Sequence, residues 1–120
     1  MHRDMLYIGG SWTESEGKGR IPVENPATRD IIGSVPEGTL EDADAAVLAA
    51  REAFEGWSNS PIEERIRVLN SLSESFKTRT NELAELITKE VGTPIEYSKM
   101  AMVGTPRVVM RSYAKLLESY

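Results

Sequence analysis

The stretch from Ser60 to Pro94 constrains the fold of this chain more than any other. Apolar side chains recur through it at steps of three, four or seven residues, the spacing of one face of an α-helix. They are Ile62, Ile66, Leu69, Leu72, Phe76, Leu83, Leu86, Ile87 and Val91. The pattern predicts one long helix over residues 60–91, and the rest of the chain must cover its apolar stripe.

Capping signals mark both ends of this helix, and similar signals predict two further helices. Ser60 with Glu63 has the spacing of a capping box, and Gly92 is a typical C-terminal stop. Thr39 and Thr93 start similar patterns, which predict helices over residues 39–57 and 94–119. Within the last helix, the sequence Gly-Thr-Pro at residues 104–106 predicts a kink or a restart.

The helix over residues 39–57 has an apolar face of small side chains that would let a neighbouring helix approach closely. We expect this face to pack against the helix over residues 60–91. Its members are Ala43, Ala46, Val47, Ala50, Phe54 and Trp57.

Residues 1–38 have the patterns of short β-hairpins and loops. Leu6–Ile8 and Ser11–Thr13 flank a Gly-Gly pair that suits a tight turn. Residues 14–20 are polar and glycine-rich, so we expect a mobile surface loop there. A second strand pair is predicted at residues 21–24 and 29–35, around the turn residues 25–28. The chain by itself therefore reads as α+β, with short N-terminal β-hairpins followed by three or four helices.

Composition excludes several classes of function. Net charge is −5, and basic residues are interleaved with acidic ones, so we expect no nucleic acid to bind. No apolar run has the ~20 residues that cross a bilayer, so we expect no membrane association. The sequence has no cysteine and no secretory leader, which favours a cytoplasmic location. With one histidine, His2, and no glycine-rich phosphate loop, it holds no self-contained active site.

Several short motifs, in this order and at this spacing, resemble the N-terminus of NAD(P)-dependent aldehyde dehydrogenases. The matching stretches are Leu6–Trp12, Glu24–Thr28, Ile31–Val35, Asp42–Val47, Ala49–Phe54 with Trp57, Arg65, Glu90–Pro94 and Tyr113-Ala114. Each motif alone is weakly specific, but together they extend over essentially the whole chain. Thr93 departs from the pattern, because the family usually has lysine there.

The resemblance implies an α/β fold, of which residues 1–120 would be the N-terminal segment of the cofactor-binding domain, truncated at its C-terminal end. Members of this family are oxidoreductases that oxidise aldehydes to carboxylic acids with NAD or NADP, through a cysteine thiolate and a glutamate-activated water. Those groups belong to motifs beyond Tyr120, so no residue here is assigned a catalytic, cofactor-binding or metal-binding role. The resemblance implies the remainder of the fold as partner and a homo-oligomer when complete. The chain alone is predicted to be inactive and to bind no cofactor.

Two family sites bear on residues that are present. In some members a structural monovalent cation is held by backbone carbonyls near the Asn-Pro turn and by an acid early in the last helix. Glu24 lies near the first position, but residues 101–104 offer no acid, so we expect no metal. The last helix of the region lies near the mouth of the aldehyde tunnel in the family, which makes Tyr113, Leu116 and Leu117 candidate substrate contacts. Their spacing also suits plain core packing, and that alternative is the favoured one.

In a second hypothesis, the chain has no catalytic role. In it, the chain is an acidic helical binding or structural module whose last helix presents Val109, Tyr113, Leu116 and Leu117 to a partner. The sequence beyond Tyr120 would discriminate between the hypotheses, because the enzyme requires a further strand, a glycine-rich turn and a later cysteine.

Overall fold

The structure is a computed structural model, and it describes residues 4–119. The chain divides into two compact units. The first comprises the described residues up to Glu24 together with Arg29–Asn59, and the second comprises Asn25–Thr28 together with the described residues from Ser60 onward. Short β-hairpins precede a series of helices, so the predicted α+β arrangement of the chain is confirmed.

Both predicted hairpins are present. Strand β1 (Leu6–Ile8) pairs antiparallel with β2 (Ser11–Thr13). Gly9 and Gly10 join them with φ values of 59° and 82°, a conformation that suits the twist of a two-residue hairpin and that glycine adopts without strain. Strand β3 (Arg20–Glu24) pairs antiparallel with β4 (Ile31–Pro36), and the register of the pair shifts between Val23 and Glu24.

Helix α1 (Leu40–Ser58) starts with the predicted capping box. The backbone N–H of Asp42 donates to Thr39 Oγ1 at 3.2 Å, and the backbone N–H of Thr39 donates to Asp42 Oδ2 at 2.9 Å. Two donors that the helix leaves without partners are thereby satisfied.

The prediction for the apolar face of α1 is wrong. All its members are exposed, and the exposed fractions of Val47 and Phe54 are 52% and 69%. Residues on the flank next to this face make the contacts instead. Asp42 is buried, and Ala49 lies beside Gly9, where an added Cβ would be 3.6 Å from the alanine Cβ. The helix is therefore positioned through this flank, where Ala49 contacts the turn of the hairpin β1–β2 and Asp42 contacts Ser15.

The predicted single helix over residues 60–91 is two helices. Helix α2 (Ile62–Thr78) and helix α3 (Thr80–Val91) meet at Arg79, whose φ and ψ of −104° and 16° are not helical. The hydroxyl of Thr80 donates to the carbonyls of Phe76 and Lys77, both at 2.9 Å. Such side-chain bonds to the preceding turn compete with the regular ladder, and periodicity alone does not reveal them.

Two of the three predicted N-caps are also wrong. Proline occupies the N-cap of α2 at Pro61 and that of helix α4 (Ile95–Tyr97) at Pro94, and neither helix has a capping side-chain hydrogen bond. Ser60 instead accepts a hydrogen bond from Arg65 Nε at 3.2 Å. At the other end of α3, the predicted stop is confirmed, because Gly92 is left-handed with φ of 77°.

A π-helical segment, Ser98–Val103, joins α4 to helix α5 (Gly104–Leu117). The N–H of Gly104 reaches back to the carbonyl of Lys99, a bond across five residues. The wider turn precedes Pro106, whose missing N–H and bulky ring would disturb a regular α-helix. The predicted restart at residues 104–106 corresponds to the start of α5 at Gly104, directly after the π-helical segment, with Gly104 itself in the right-handed helical region.

The core of the second unit forms where α5 packs against α2 and where the π-helical segment packs against α3. The described apolar residues that are fully buried in the chain all lie in this unit: Ala84, Val103 and Ala114. Buried Ser73 donates to the carbonyl of Arg107 at 3.2 Å, and buried Ser98 donates to that of Thr93 at 3.3 Å. Residues of the predicted apolar stripe are half-buried, except Ile62, Leu72 and Val91, which are exposed. The fully buried part of the core therefore consists of small and medium-sized side chains where these elements meet, with half-buried residues of the stripe around it.

Candidate functional site

An open groove of about 410 Å³ lies along α2 and α5 in the second unit. It is lined by Asn70, Val108, Arg111, Ser112, Ala114, Lys115 and Glu118. The Ser112 hydroxyl donates to the carbonyl of Val108 at 3.0 Å, so it is engaged within its own helix. The lining offers charged and amide groups for binding, but it does not pair a nucleophile with a base.

The three candidate substrate contacts differ in their surroundings. Tyr113 and Leu116 are exposed on α5, with exposed fractions of 59% and 56%. Leu117 is half-buried, on the same side of the helix as buried Ala114. A shared role for the three residues stays a prediction, and the exposed pair is the better placed to meet a further surface.

Glu24, which lies close to the candidate cation position, forms an ion pair with Arg29. Glu24 Oε1 lies 3.5 Å from Arg29 Nε, and both side chains are largely accessible to solvent. Residues 101–104 belong to the π-helical segment and the start of α5. Across residues 4–119, no three histidine, cysteine, aspartate or glutamate side chains come together as a metal site would require.

Polar groups from residues 15–17 and from the start of α1 form a cluster around Asp42 in the first unit. The Ser15 hydroxyl donates to Asp42 Oδ2 at 2.6 Å, and the N–H of Glu16 donates to Oδ1 at 3.2 Å. The same hydroxyl accepts from the N–H of Gly17 at 3.1 Å. Residues 15–17 are thus held against the start of α1, so the prediction of a mobile loop over residues 14–20 is wrong for this part.

Hydrogen bonding controls the protonation of this cluster. The Ser15 hydroxyl, and after it the N–H of Thr39, stabilises the carboxylate and lowers the pKa of Asp42 from 3.8 to about 2. The capping box alone locates Asp42 at the helix start, but no local pattern connects it to Ser15, which lies 27 residues away. A charged, buried carboxylate with three donors around it suits a structural role, which is to hold residues 15–17 against α1, better than a role as an acid or base in catalysis at neutral pH.

We expect Asp42→Asn to lower the melting temperature at pH 7 by about 5 °C or more, because a single amide oxygen cannot replace both carboxylate oxygens as acceptors, and the amide NH2 then faces the backbone N–H of either Thr39 or Glu16. Since the folded-state pKa lies below the unfolded one, the native carboxylate stabilises the fold above about pH 4. That contribution is lost as the pH falls toward 2. Thermal scans by circular dichroism between pH 7 and pH 2 measure both effects.

Asp44→Asn is the matched control, because Asp44 is exposed on the same helix. It should keep the melting temperature and its acid dependence close to those of the unchanged protein. If both variants melt alike at every pH, the cluster does not hold the loop.

Comparison with known proteins assigns the chain to a family. The aldehyde dehydrogenase family profile matches residues 12–120. The chain belongs to the aldehyde dehydrogenase family. It is 44% identical over 93 residues to a malonate-semialdehyde dehydrogenase of Bacillus pumilus, and 40% identical over 90 residues to a 3-succinoylsemialdehyde-pyridine dehydrogenase of a Pseudomonas species. These alignments cover 78% and 75% of this chain.

Solved aldehyde dehydrogenase structures match nearly the whole chain. A mutant of aldehyde dehydrogenase C from Pseudomonas syringae, in complex with NAD+ and octanal, is 35% identical with a TM-score of 0.95 over 98% of this chain. A betaine aldehyde dehydrogenase from Staphylococcus aureus, also with NAD+, is 35% identical with a TM-score of 0.89 over 95%.

The matched region is only the N-terminal part of the family protein. The chain spans 19% of the length of the two curated aldehyde dehydrogenases, and 24% and 23% of the two solved chains. Both the predicted family and the predicted extent of the match are therefore confirmed. None of the described helices is long and apolar enough to cross a membrane.

Proposed function

We propose that this chain serves as the N-terminal part of an enzyme that oxidises aldehydes to carboxylic acids with NAD. The supporting observation is its match to the octanal-bound and NAD+-bound aldehyde dehydrogenase C, which extends over 98% of this chain and 24% of that one. The wider proposal that residues 1–120 are the first segment of a cofactor-binding domain rests on the same match.

In this proposal, the catalytic groups come from the remaining polypeptide. In the complete enzyme, a cysteine thiolate would add to the aldehyde carbon, and hydride would pass from that adduct to NAD to leave a thioester. Water would then hydrolyse the thioester, which releases the carboxylic acid and restores the thiolate. This sequence contains no cysteine, so it cannot supply that nucleophile. The chain contributes the hairpins and helices against which the rest of the fold is built, and it neither oxidises aldehydes nor binds NAD when alone.

Several finer predictions accompany this proposal. NAD is preferred to NADP because the two matched structures are complexes with NAD+. Tyr113, Leu116 and Leu117 are candidates for the mouth of the substrate tunnel; the first two are exposed, and Leu117 is half-buried. A homo-oligomeric state and a cytoplasmic location remain predictions from the resemblance and the composition.

A chimera tests the proposal. In wild-type aldehyde dehydrogenase C, the matched N-terminal segment is replaced by this chain. We expect octanal-dependent NADH formation, followed at 340 nm, at no less than about one hundredth of the parent kcat/KM. The 120-residue chain alone and the parent lacking its N-terminal segment are the controls, and both should be inactive.

A folded chimera without activity would contradict the proposal and favour the alternative of an acidic helical module that does no catalysis. NADH formation by the chain alone would contradict the assignment of the nucleophile to the remaining polypeptide.

A further inference from the structure

The groove along α2 and α5 contains two cations that have no counter-charge within the chain. Arg111 and Lys115 line it from α5. Among residues 4–119, no carboxylate lies within ion-pair distance of either side chain. Residues four apart on a helix are neighbours, with Cβ atoms about 5 to 6 Å apart, and like charges at this spacing repel each other. An anion held between the two cations would relieve that repulsion.

Four other cations of the second unit behave differently. Each of them pairs with a glutamate three residues away, and they are Arg67, Lys77, Arg79 and Lys99. Glu118 has the same spacing from Lys115 and also lines the groove, yet the two side chains form no ion pair. Because the whole chain has a net charge of −5, a general excess of positive charge does not explain the two cations in the groove.

The rest of the lining indicates which kind of anion fits. Val108 and the buried Ala114 provide apolar surface beside the cations, and Asn70 provides an amide from α2. The planar guanidinium of Arg111 has the geometry to donate two parallel hydrogen bonds to one carboxylate. Glu118, the last lining residue along the chain, disfavours a second negative charge. Together these groups suit a monocarboxylate with a short apolar chain.

The size of the groove also favours a small ligand. Its volume of about 410 Å³ lies within the range of about 300 to 1,000 Å³ that is usual for small-molecule sites. A covering protein surface suits the groove less well, because the burial of Arg111 and Lys115 without carboxylate partners would be costly.

We propose that this groove binds a small monocarboxylate. Its carboxylate lies between Arg111 and Lys115, and its apolar chain lies over Val108 and Ala114. This binding requires neither catalysis nor NAD, so the 120-residue chain is sufficient to test it.

The test uses butyrate as the probe and its neutral isostere butyramide as the control for charge. The isotopically labelled chain is titrated with each compound at constant ionic strength, and NMR follows the Nε–H signal of Arg111 and the backbone amides of α5. We expect butyrate to bind with a Kd on the order of 1 mM. Butyramide should bind about tenfold more weakly or not at all, because it lacks the charge that strengthens the hydrogen bonds.

Substitutions identify the residues that bind the probe. Arg111→Gln should weaken butyrate binding about tenfold, because it removes the hydrogen bonds to the charged carboxylate. Arg111→Lys should weaken it about threefold, since the charge remains but the two parallel donors are lost. Lys115→Gln should also cost about threefold, as an exposed ion pair does. Lys77→Gln is the matched control, because Lys77 pairs with Glu74 on α2 outside the groove, and it should leave butyrate binding unchanged.

Four results with the chain would overturn the inference. They are the absence of butyrate binding, equal binding of butyrate and butyramide, unchanged butyrate binding by Arg111→Gln, and tighter binding of inorganic phosphate than of butyrate at the same ionic strength. The last result would identify a general anion site. Circular dichroism of each variant should give the helix content of the unchanged chain.

The chimera with aldehyde dehydrogenase C tests whether the groove stays accessible when the remaining polypeptide is present. Butyrate should raise the melting temperature of the unchanged chimera more than that of its Arg111→Gln variant. An equal effect on both would show that the remaining polypeptide fills the groove, and it would also overturn the inference. An inactive chimera in which butyrate still distinguishes the two would contradict only the proposed function.

Discussion

Val103→Asp is expected to unfold the second unit, with a loss of more than about 4 kcal/mol in the free energy of unfolding. Val103 is 1% exposed and is the largest fully buried apolar side chain among the described residues. The substitution removes about 1.5 kcal/mol or more of apolar burial and places a carboxylate where water cannot reach it. Urea titration followed by circular dichroism measures the loss.

The same chain offers a matched control for this substitution. Val108 lies on α5 only five residues further along, and its exposed fraction is 63%. Val108→Asp should change the free energy of unfolding by less than about 0.5 kcal/mol, as surface substitutions do. If the two variants are equally stable, Val103 is not in the core.

Gly92→Ala and Gly56→Ala are expected to change stability in opposite directions. Gly92 has φ of 77°, and an added Cβ would lie 2.8 Å from Cγ of Pro26. The left-handed conformation costs alanine about 1 to 2 kcal/mol, and the rigid proline ring makes the contact worse. Gly56 lies within α1 with nothing within 4 Å of an added Cβ, so alanine there should gain about 0.5 to 1 kcal/mol.

Urea midpoints of the two alanine variants and the unchanged protein decide the point. A gain at Gly92, or a loss at Gly56 as large as that at Gly92, would show that the end of α3 is not built as described.

Local signals in the sequence predicted the local structure well. The Gly9-Gly10 turn, the capping box of Thr39 and the stop at Gly92 each depend on residues within a few positions of one another. The ordered series of short motifs was sufficient to recognise the family, and the profile match over residues 12–120 confirms it. Because turn and cap preferences arise from backbone sterics and short-range hydrogen bonds, a single sequence carries them.

Sequence signals that are compatible with more than one local structure were misleading. Ser60 and Thr93 have capping chemistry, but the proline that follows each of them takes the N-cap position. The apolar repeat runs through Arg79, although the helix is interrupted there. Periodicity indicates which side chains favour burial, but it does not reveal that a single residue such as Arg79 has non-helical backbone dihedrals.

Only the tertiary structure decided which surfaces meet. It joined Ser15 to Asp42 across 27 residues, packed α2 against α5, and left the apolar face of α1 exposed although its spacing is that of a buried helix. Amphipathic spacing predicts that a face favours burial, whereas its partner is set by long-range packing that no local pattern specifies. The sequence by itself therefore determined the hairpins, the turns, the cap of α1 and the family. The three-dimensional structure decided the break at Arg79, the π-helical segment and the contacts between elements, because packing depends on surfaces that are distant along the chain.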